Sequence, residues 1–235
     1  MATKLKKMLR VALCFAAFVV TFVLAAFSQE NPNQRLDQIL AAMDQNAKTF
    51  RTAQASFTAR MFNSVINAFV PPDDTGKIYL QKTGSGIEAS AIYTQPRDKE
   101  IIFSGDRLEI YQNGQINAYD ARAHRDELET FLVLGFGSSG EDMRKSFDIK
   151  DLGPDTVEGS DTEKLDLVPK SASVLVHVPH IILWMDPKLG VSRQQQIYVE
   201  KEGDYRLATY TNIELNRNLP KNAFKFKGVQ KTVIH

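Results

Sequence analysis

The sequence predicts an α+β fold: a strongly curved antiparallel sheet, an open half-barrel of about 10–11 strands, covered by an N-terminal helix and a helical lid insertion. Three observations predict it. Short segments with period-two apolar alternation recur from Ala53 to the C-terminus, punctuated by Gly, Pro and Asn-Gly. No strand–helix–strand alternation with the spacing of a parallel sheet occurs among them. A helical period precedes the strands, and a second one interrupts them between residues 121 and 146.

The chain opens on MATKLKKMLR, in which Lys4, Lys6, Lys7 and Arg10 stand without an acid, followed by the uncharged apolar run VALCFAAFVVTFVLAAF. This is the pattern of a secretory signal peptide over residues 1–28, with Ala26 and Ser28 placing small residues before a cut ahead of Gln29. A retained membrane anchor is the alternative, since the run approaches the length that spans a bilayer. Residues 29–235 are then one domain. Cys14, the single cysteine, lies inside the leader in a poor lipidation context, so no disulfide or thiol chemistry is expected of the exported protein. The formal charge of +1 includes the four leader cations and leaves roughly −3 for the rest, which excludes the basic footprint of a nucleic-acid binder.

From Asn33, QRLDQILAAMDQNAKTF sets Leu36, Ile39, Leu40, Met43 and Ala47 at helical spacing, with Asn31 or Asn33 as caps. From Ala53 the period becomes two: Ala53, Ala55, Phe57, Ala59 and Met61 share one face. Pro71-Pro72-Asp73-Asp74 predicts a break, after which GKIYLQK and IEASAIYT read as strands. KEIIF, RLEIYQ and QINAYD follow, the last two joined by Asn113-Gly114, a strong hairpin signal. ARAHRDELETFLVL and EDMRKSF read as helices, with Gly135 ending the first and Ser139 capping the second. FDIKDL, TEKLDLVP, HIILWMD, RQQQIYVEK, YRLATYTNIEL and FKFKG complete the strands.

GFGSSG at 135–140 matches the dinucleotide pattern G-x-G-x-x-G letter for letter. That chemistry needs a strand before the first glycine inside a parallel unit, and a helical pattern stands there instead, so the stretch reads as the bend between two lid helices. His177 and His180 bracket Val178-Pro179 without an acid or cysteine to complete a metal site, and Asp186-Pro187 with Gly190 is turn chemistry. No nucleophile elbow, zinc-protease motif or apolar carboxylate pair appears, so neither enzymatic activity nor a cofactor or metal is expected. The two helical segments must bury their apolar stripes. They either plug the sheet as an ordinary core or form a movable lid over a cavity for an apolar ligand, a choice the periodicity leaves open.

Several strings, in order, carry a resemblance: S-F-x-A (Ser56, Phe57, Ala59), G-K-I-Y-L (76–80), Y-x-x-P (Tyr93, Pro96) and I-I-F-S-G-D-R-L-E-I-Y (101–111). K-L-D-L-V-P-K (164–170), I-I-L-W-M-D (181–186) and T-N-I-E-L-N…L-P…F-K-F (211–226) continue it. Together they resemble the periplasmic lipoprotein carrier LolA family over essentially the whole exported chain. The resemblance implies a half-closed β-barrel with a helical lid, whose cavity takes the acyl chains of lipoproteins and escorts them from inner to outer membrane. It implies as partners an inner-membrane ABC-type lipoprotein release complex and an outer-membrane receptor of the same fold, and a monomeric carrier. The family's lid-latching arginine corresponds by strand parity to Lys82, a point charge without the planar fork.

The expected cavity wall is Phe57, Met61, Ile78, Leu80, Ile102 and Trp184; the expected lid residues are Leu36, Leu40, Leu132, Leu134 and Phe136; Lys82 is the candidate latch. A sensing domain of the same fold that recognises envelope lipids or misplaced lipoproteins is the alternative function, and a hydrolase with an unrecognised site the remote one.

Overall fold

The computed structural model describes residues 32–199 and 203–226; the leader lies outside them. Helix α1 (Pro32–Thr49) is followed by β1 (Thr52–Asn63), β2 (Ala68–Thr83), β3 (Gly86–Gln95), β4 (Lys99–Ser104), β5 (Arg107–Gln112) and β6 (Gln115–Asp120). The helical insertion comprises a single 3-10 turn, α2 (Arg125–Leu132) and α3 (Gly140–Ser146). Then come β7 (Phe147–Val157), β8 (Ser160–Pro169), the one-turn α4 (Ala172–Leu175), β9 (Ile181–Asp186), β10 (Val191–Tyr198) and β11 (Tyr205–Leu215).

Among the described residues all eleven strands form one antiparallel sheet in the order β6-β5-β4-β3-β2-β1-β11-β10-β9-β8-β7. Its end strands, β6 and β7, do not pair with each other, so the sheet is a curved half-barrel rather than a closed one. β1 joins the two halves, pairing with β2 on one side and β11 on the other.

The helices pack on the inner face. Ile39, Leu40 and Met43 of α1 and Met143 of α3 bury against Phe147, Leu165, Leu167, Ile181, Leu183 and Met185 of β7, β8 and β9. A second cluster places Phe50 and Phe136 over Ala53, Ala55, Leu80, Ala89 and Phe103. The outer face is covered too. Trp184 and Ile182 pack with Val157, and the Trp184 indole N–H donates to Asp155 Oδ2 at 2.8 Å. That bond and the Thr156 N–H hold the Asp155 carboxyl below the usual range. On the other half of the sheet, the segment after β11 reaches across, bringing Phe226 to 6.1 Å from Tyr111 on β5.

Three local expectations change. The stretch 71–74 does not end a strand: β2 runs through it, and the register with β1 jumps from Ala59↔Asp74 to Met61↔Val70. The prolines cannot donate to the ladder, so they bulge out while pairing resumes on both sides. Residues 224–226, expected to begin a last strand, lie outside the sheet, and the end of that FKFKG string falls outside the described residues. No helix is expected in SASVLVHVP, where no helical period follows the cap-type Ser171, yet Ser171 is the N-cap of the one-turn α4.

α1 is tied to the far half of the sheet by a charged triad. Arg35 Nε donates to Glu163 Oε1 at 2.9 Å, and its Nη2 lies 3.0 Å from Asp151 Oδ2, a contact of charges rather than an aligned hydrogen bond. Burial, and next the neighbouring Asp151 carboxyl, push Glu163 up from 4.5 to about 7 against the pull of Arg35. A carboxyl raised on folding favours the native state while protonated; that contribution is complete below the ordinary value and is lost as pH rises through about 7. Thermal melts should therefore show the wild type losing stability between about pH 4.5 and 7 relative to Glu163→Gln, whose amide cannot ionise; parallel pH profiles would contradict this.

Candidate functional site: a lidded cavity on the inner face

Small side chains on the inner face create the site. Ala89, Ala91 and Ala208 line a cavity of about 210 Å³ together with Phe57, Ile78, Leu80, Ile101, Phe103, Tyr93 and Tyr210 from the sheet. Phe131, Leu132, Leu134 and Phe136 close it from the lid. A wall of alanines leaves space that larger side chains would fill, so the lid side chains descend into it. Phe57 lies at the centre, edge-on to Tyr93 with centroids 5.1 Å apart. Its ring needs Gly76 opposite: a Cβ there would stand 2.8 Å from the ring and 2.2 Å from the Ile92 carbonyl oxygen.

The bend between α2 and α3 is the firmest part of the lid. Three successive carbonyls each accept from a separate donor: Gln195 Nε2 donates to Leu134 O at 2.7 Å, the Ser192 N–H to Gly135 O at 2.5 Å, and Asn46 Nδ2 to Phe136 O at 2.8 Å. Gly135 has φ +77°, and a Cβ would approach Ser192 Cβ to 2.5 Å, so both conformation and space call for glycine. Phe136 is 2% exposed and meets Tyr210 edge-on at 5.0 Å. Tyr210 donates through its hydroxyl to Gln195 Oε1 at 3.2 Å, and burial raises its phenol to about 12. α3 starts at Ser139, whose Oγ accepts the Asp142 N–H, while Asp44 of α1 accepts the Gly140 N–H.

α2 is held differently, by the partly buried Leu128, Phe131 and Leu132, with Phe131 edge-on to Phe147 at 6.1 Å, and by polar clasps at the surface. Arg125 donates to the Ser85 carbonyl in the β2–β3 turn, and its Nη1 lies 3.0 Å from Asp106 in the β4–β5 turn. Glu127 accepts from Ser173 at 2.9 Å and Ser171 at 3.1 Å, hydroxyl bonds that lower its carboxyl pKa. No residue of α2 is fully buried. Exposed ionic and polar contacts contribute about 0–1 kcal/mol each, far less than a buried aromatic ring.

The expected site residues divide accordingly. Phe57, Ile78 and Leu80, with Leu132, Leu134 and Phe136, meet at the cavity. Ile102 faces away: the inward residues of β4 are Ile101 and Phe103, and two adjacent isoleucines left the parity unread in the sequence. Trp184 is on the outer face, because all six residues of β9 are buried and its two faces look alike in sequence. Met61 has the inward parity, opposite Arg206, but lies 42% exposed beyond the cavity. Leu36 and Leu40 belong to the α1 core over β7–β9 and do not reach the cavity. Lys82 is exposed; its backbone N–H bonds Arg51 O, and the side chain clasps nothing among the described residues, so Arg125 rather than Lys82 links lid to sheet. Sequence reading passed over Arg206, Ala208 and Tyr210, since Leu207 on the other face of β11 is the more apolar neighbour.

Among the described residues no three His, Cys, Asp or Glu side chains gather at metal-ligand distance. His180 stacks on Tyr198 at 3.8 Å and pairs with Asp166 at 3.0 Å. Asp186 feels burial first, which raises its pKa, but Arg193 and two turn N–H groups overcome that and hold it ionised below the usual range. Both groups are bound in structure.

An open antiparallel half-barrel with helices laid over its inner face defines a class of fold, and the chain has that fold. No protein-family model matches the sequence, and no curated protein matches it. Among solved structures it is similar to MucB, with a TM-score of 0.50 and 15% identity over 86% of this chain and 64% of that one. An uncharacterized conserved protein from Thermus thermophilus gives a TM-score of 0.50 at 11% identity, covering 83% of this chain and 96% of the other. A LolA superfamily protein from Nitrosomonas europaea gives 0.38 at 14% identity, covering 81% and 97%. The chain thus spans less than two thirds of the length of MucB, and at these identities the likeness is one of fold.

Two substitutions separate anchor from clasp. Phe136→Ala should cost about 3–5 kcal/mol in urea unfolding, as removal of a buried aromatic ring does. Arg125→Gln should leave global stability within about 1 kcal/mol yet speed amide exchange about fivefold across residues 122–132, with 134–140 unchanged.

Proposed function

We propose that the protein is a periplasmic, non-catalytic carrier that holds the acyl chains of lipoproteins in the lidded cavity and escorts them from inner to outer membrane. The observation that carries this reading is the apolar cavity between the alanine-rich sheet wall and the side chains of a surface-clasped helix. Water exclusion supplies the driving force: at about 0.8 kcal/mol per methylene, a chain of about 16 carbons represents on the order of 12 kcal/mol gross.

At about 210 Å³ the cavity is smaller than the roughly 300–1,000 Å³ of ligand pockets. An entering chain therefore displaces Phe131 and Leu132 with α2, and those side chains compete with the cargo for the same wall. Such competition lets a carrier release what it binds, because only the difference between two apolar fillings appears in the affinity. The cationic-then-apolar leader supports export to the periplasm, where an ABC-type release complex would load the carrier and an outer-membrane receptor would unload it.

The test is direct. Mixed with inner-membrane vesicles bearing radiolabelled lipoprotein under ATP-driven export, the protein should yield a soluble stoichiometric complex. Binding of acyl chains without any release from the vesicles would favour the sensing reading, and no binding at all would remove both. Ala91→Phe, which puts a ring into the cavity, should weaken acyl-probe binding roughly tenfold or more while the unfolding midpoint stays close to wild type.

A further inference from the structure

One charged side chain lines the cavity, and among the described residues it makes no side-chain hydrogen bond, ion pair or ring contact. Arg206 on β11 stands opposite Met61 of β1 and Ile197 of β10, with Ala208 and Tyr210 following it inward along the same face. Its neighbours grade from the exposed Met61 to Ala208, which is 1% exposed, so the guanidinium sits at the open end of the wall. Other cations that touch a site do have partners: Arg125 has Asp106 and Glu129, Arg35 has Asp151 and Glu163, and Lys99 lies 4.1 Å over the Tyr93 ring. Asp204, two residues before it, accepts from the Ser64 N–H and hydroxyl at 2.7 Å each, and Asp74, opposite Ala59 on the same face, forms no ion pair with Arg206. The Tyr210 hydroxyl is committed to Gln195.

An apolar pocket usually fixes its ligand's orientation with a few placed polar groups, and a half-buried guanidinium with free donors is suited to a carboxylate or phosphate oxygen pair. We infer that the cavity takes an anionic amphiphile, its oxyanion head paired with Arg206 and its acyl chain running inward along Ala208, Tyr210 and Phe57. This rests on the acyl-chain part of the reading above and not on its lipoprotein cargo, whose ester- and amide-linked chains carry no oxyanion head: Arg206 would select which amphiphiles enter and set the chain's direction, head at the open end and methyl terminus toward Phe136.

Titration calorimetry on the purified protein with palmitate, its neutral counterpart hexadecanol, and inorganic phosphate separates the possibilities. Palmitate should bind at least about tenfold tighter than the alcohol, with phosphate alone weaker than both. Arg206→Met should shrink the palmitate advantage to under about twofold, and Arg206→Lys should keep part of it. Equal binding of palmitate and alcohol by the wild type would overturn the head-group inference and leave the cavity reading standing. Phosphate binding as tight as palmitate would overturn it in favour of a bare anion site. Failure of every long-chain probe would overturn the acyl-chain reading, and this inference with it. The wild-type comparison of palmitate with alcohol holds even where a variant fails to fold.

Discussion

Three carbonyls in a row, those of Leu134, Gly135 and Phe136, fix the relation between sheet and helices. Each accepts from its own donor, Gln195 and Ser192 on β10 and Asn46 on α1, so the bend cannot shift without leaving buried acceptors unpaired. From that point α3 runs back to dock beside α1, and α2 extends over the cavity. The lid is thus bonded into buried structure at one end, while at the other α2 rests on the partly buried Leu128, Phe131 and Leu132 and on surface contacts through Arg125 and Glu127. A device that has to open on one side and stay attached on the other needs this asymmetry, and here it arises from burial at one end and exposure at the other.

The cavity itself follows from side-chain size. A half-barrel lined by large residues would close on itself as a core; this one offers Ala89, Ala91 and Ala208 around a central Phe57, with further alanines along β1 under Phe50 and Phe136. Lid residues complete the packing, so the same surface serves as protein core with the helix down and as ligand wall with it raised. Stability and binding draw on one pool of apolar contact.

Much of this was readable from the chain. Alternation along residues 53–59 fixed the inward face of β1, Asn113-Gly114 placed a hairpin, and the switch from period two to a helical period bracketed the insertion. Where reading failed, the cause was physical and local. β9 is buried on both faces, so Trp184 had no polar neighbour to reveal its direction. In β4 two isoleucines stand side by side, one on each face. Along β11 the inward residues include a charge and an alanine while a leucine points out, reversing the usual cue. A sheet that lines a cavity and is also covered outside breaks the rule that one face is dry and the other wet.

That double covering gives the protein an optical consequence. Its one tryptophan, Trp184, is bonded to Asp155 beneath the Lys164 ammonium on the outer surface of the sheet, on a strand that contributes no residue to the cavity and whose inner face packs on α1. Its emission should track the unfolding of the β7–β9 half and stay silent as the cavity fills. The fluorophore introduced by Phe131→Trp would see the opposite, so the two would resolve lid motion from loss of the fold in a single sample.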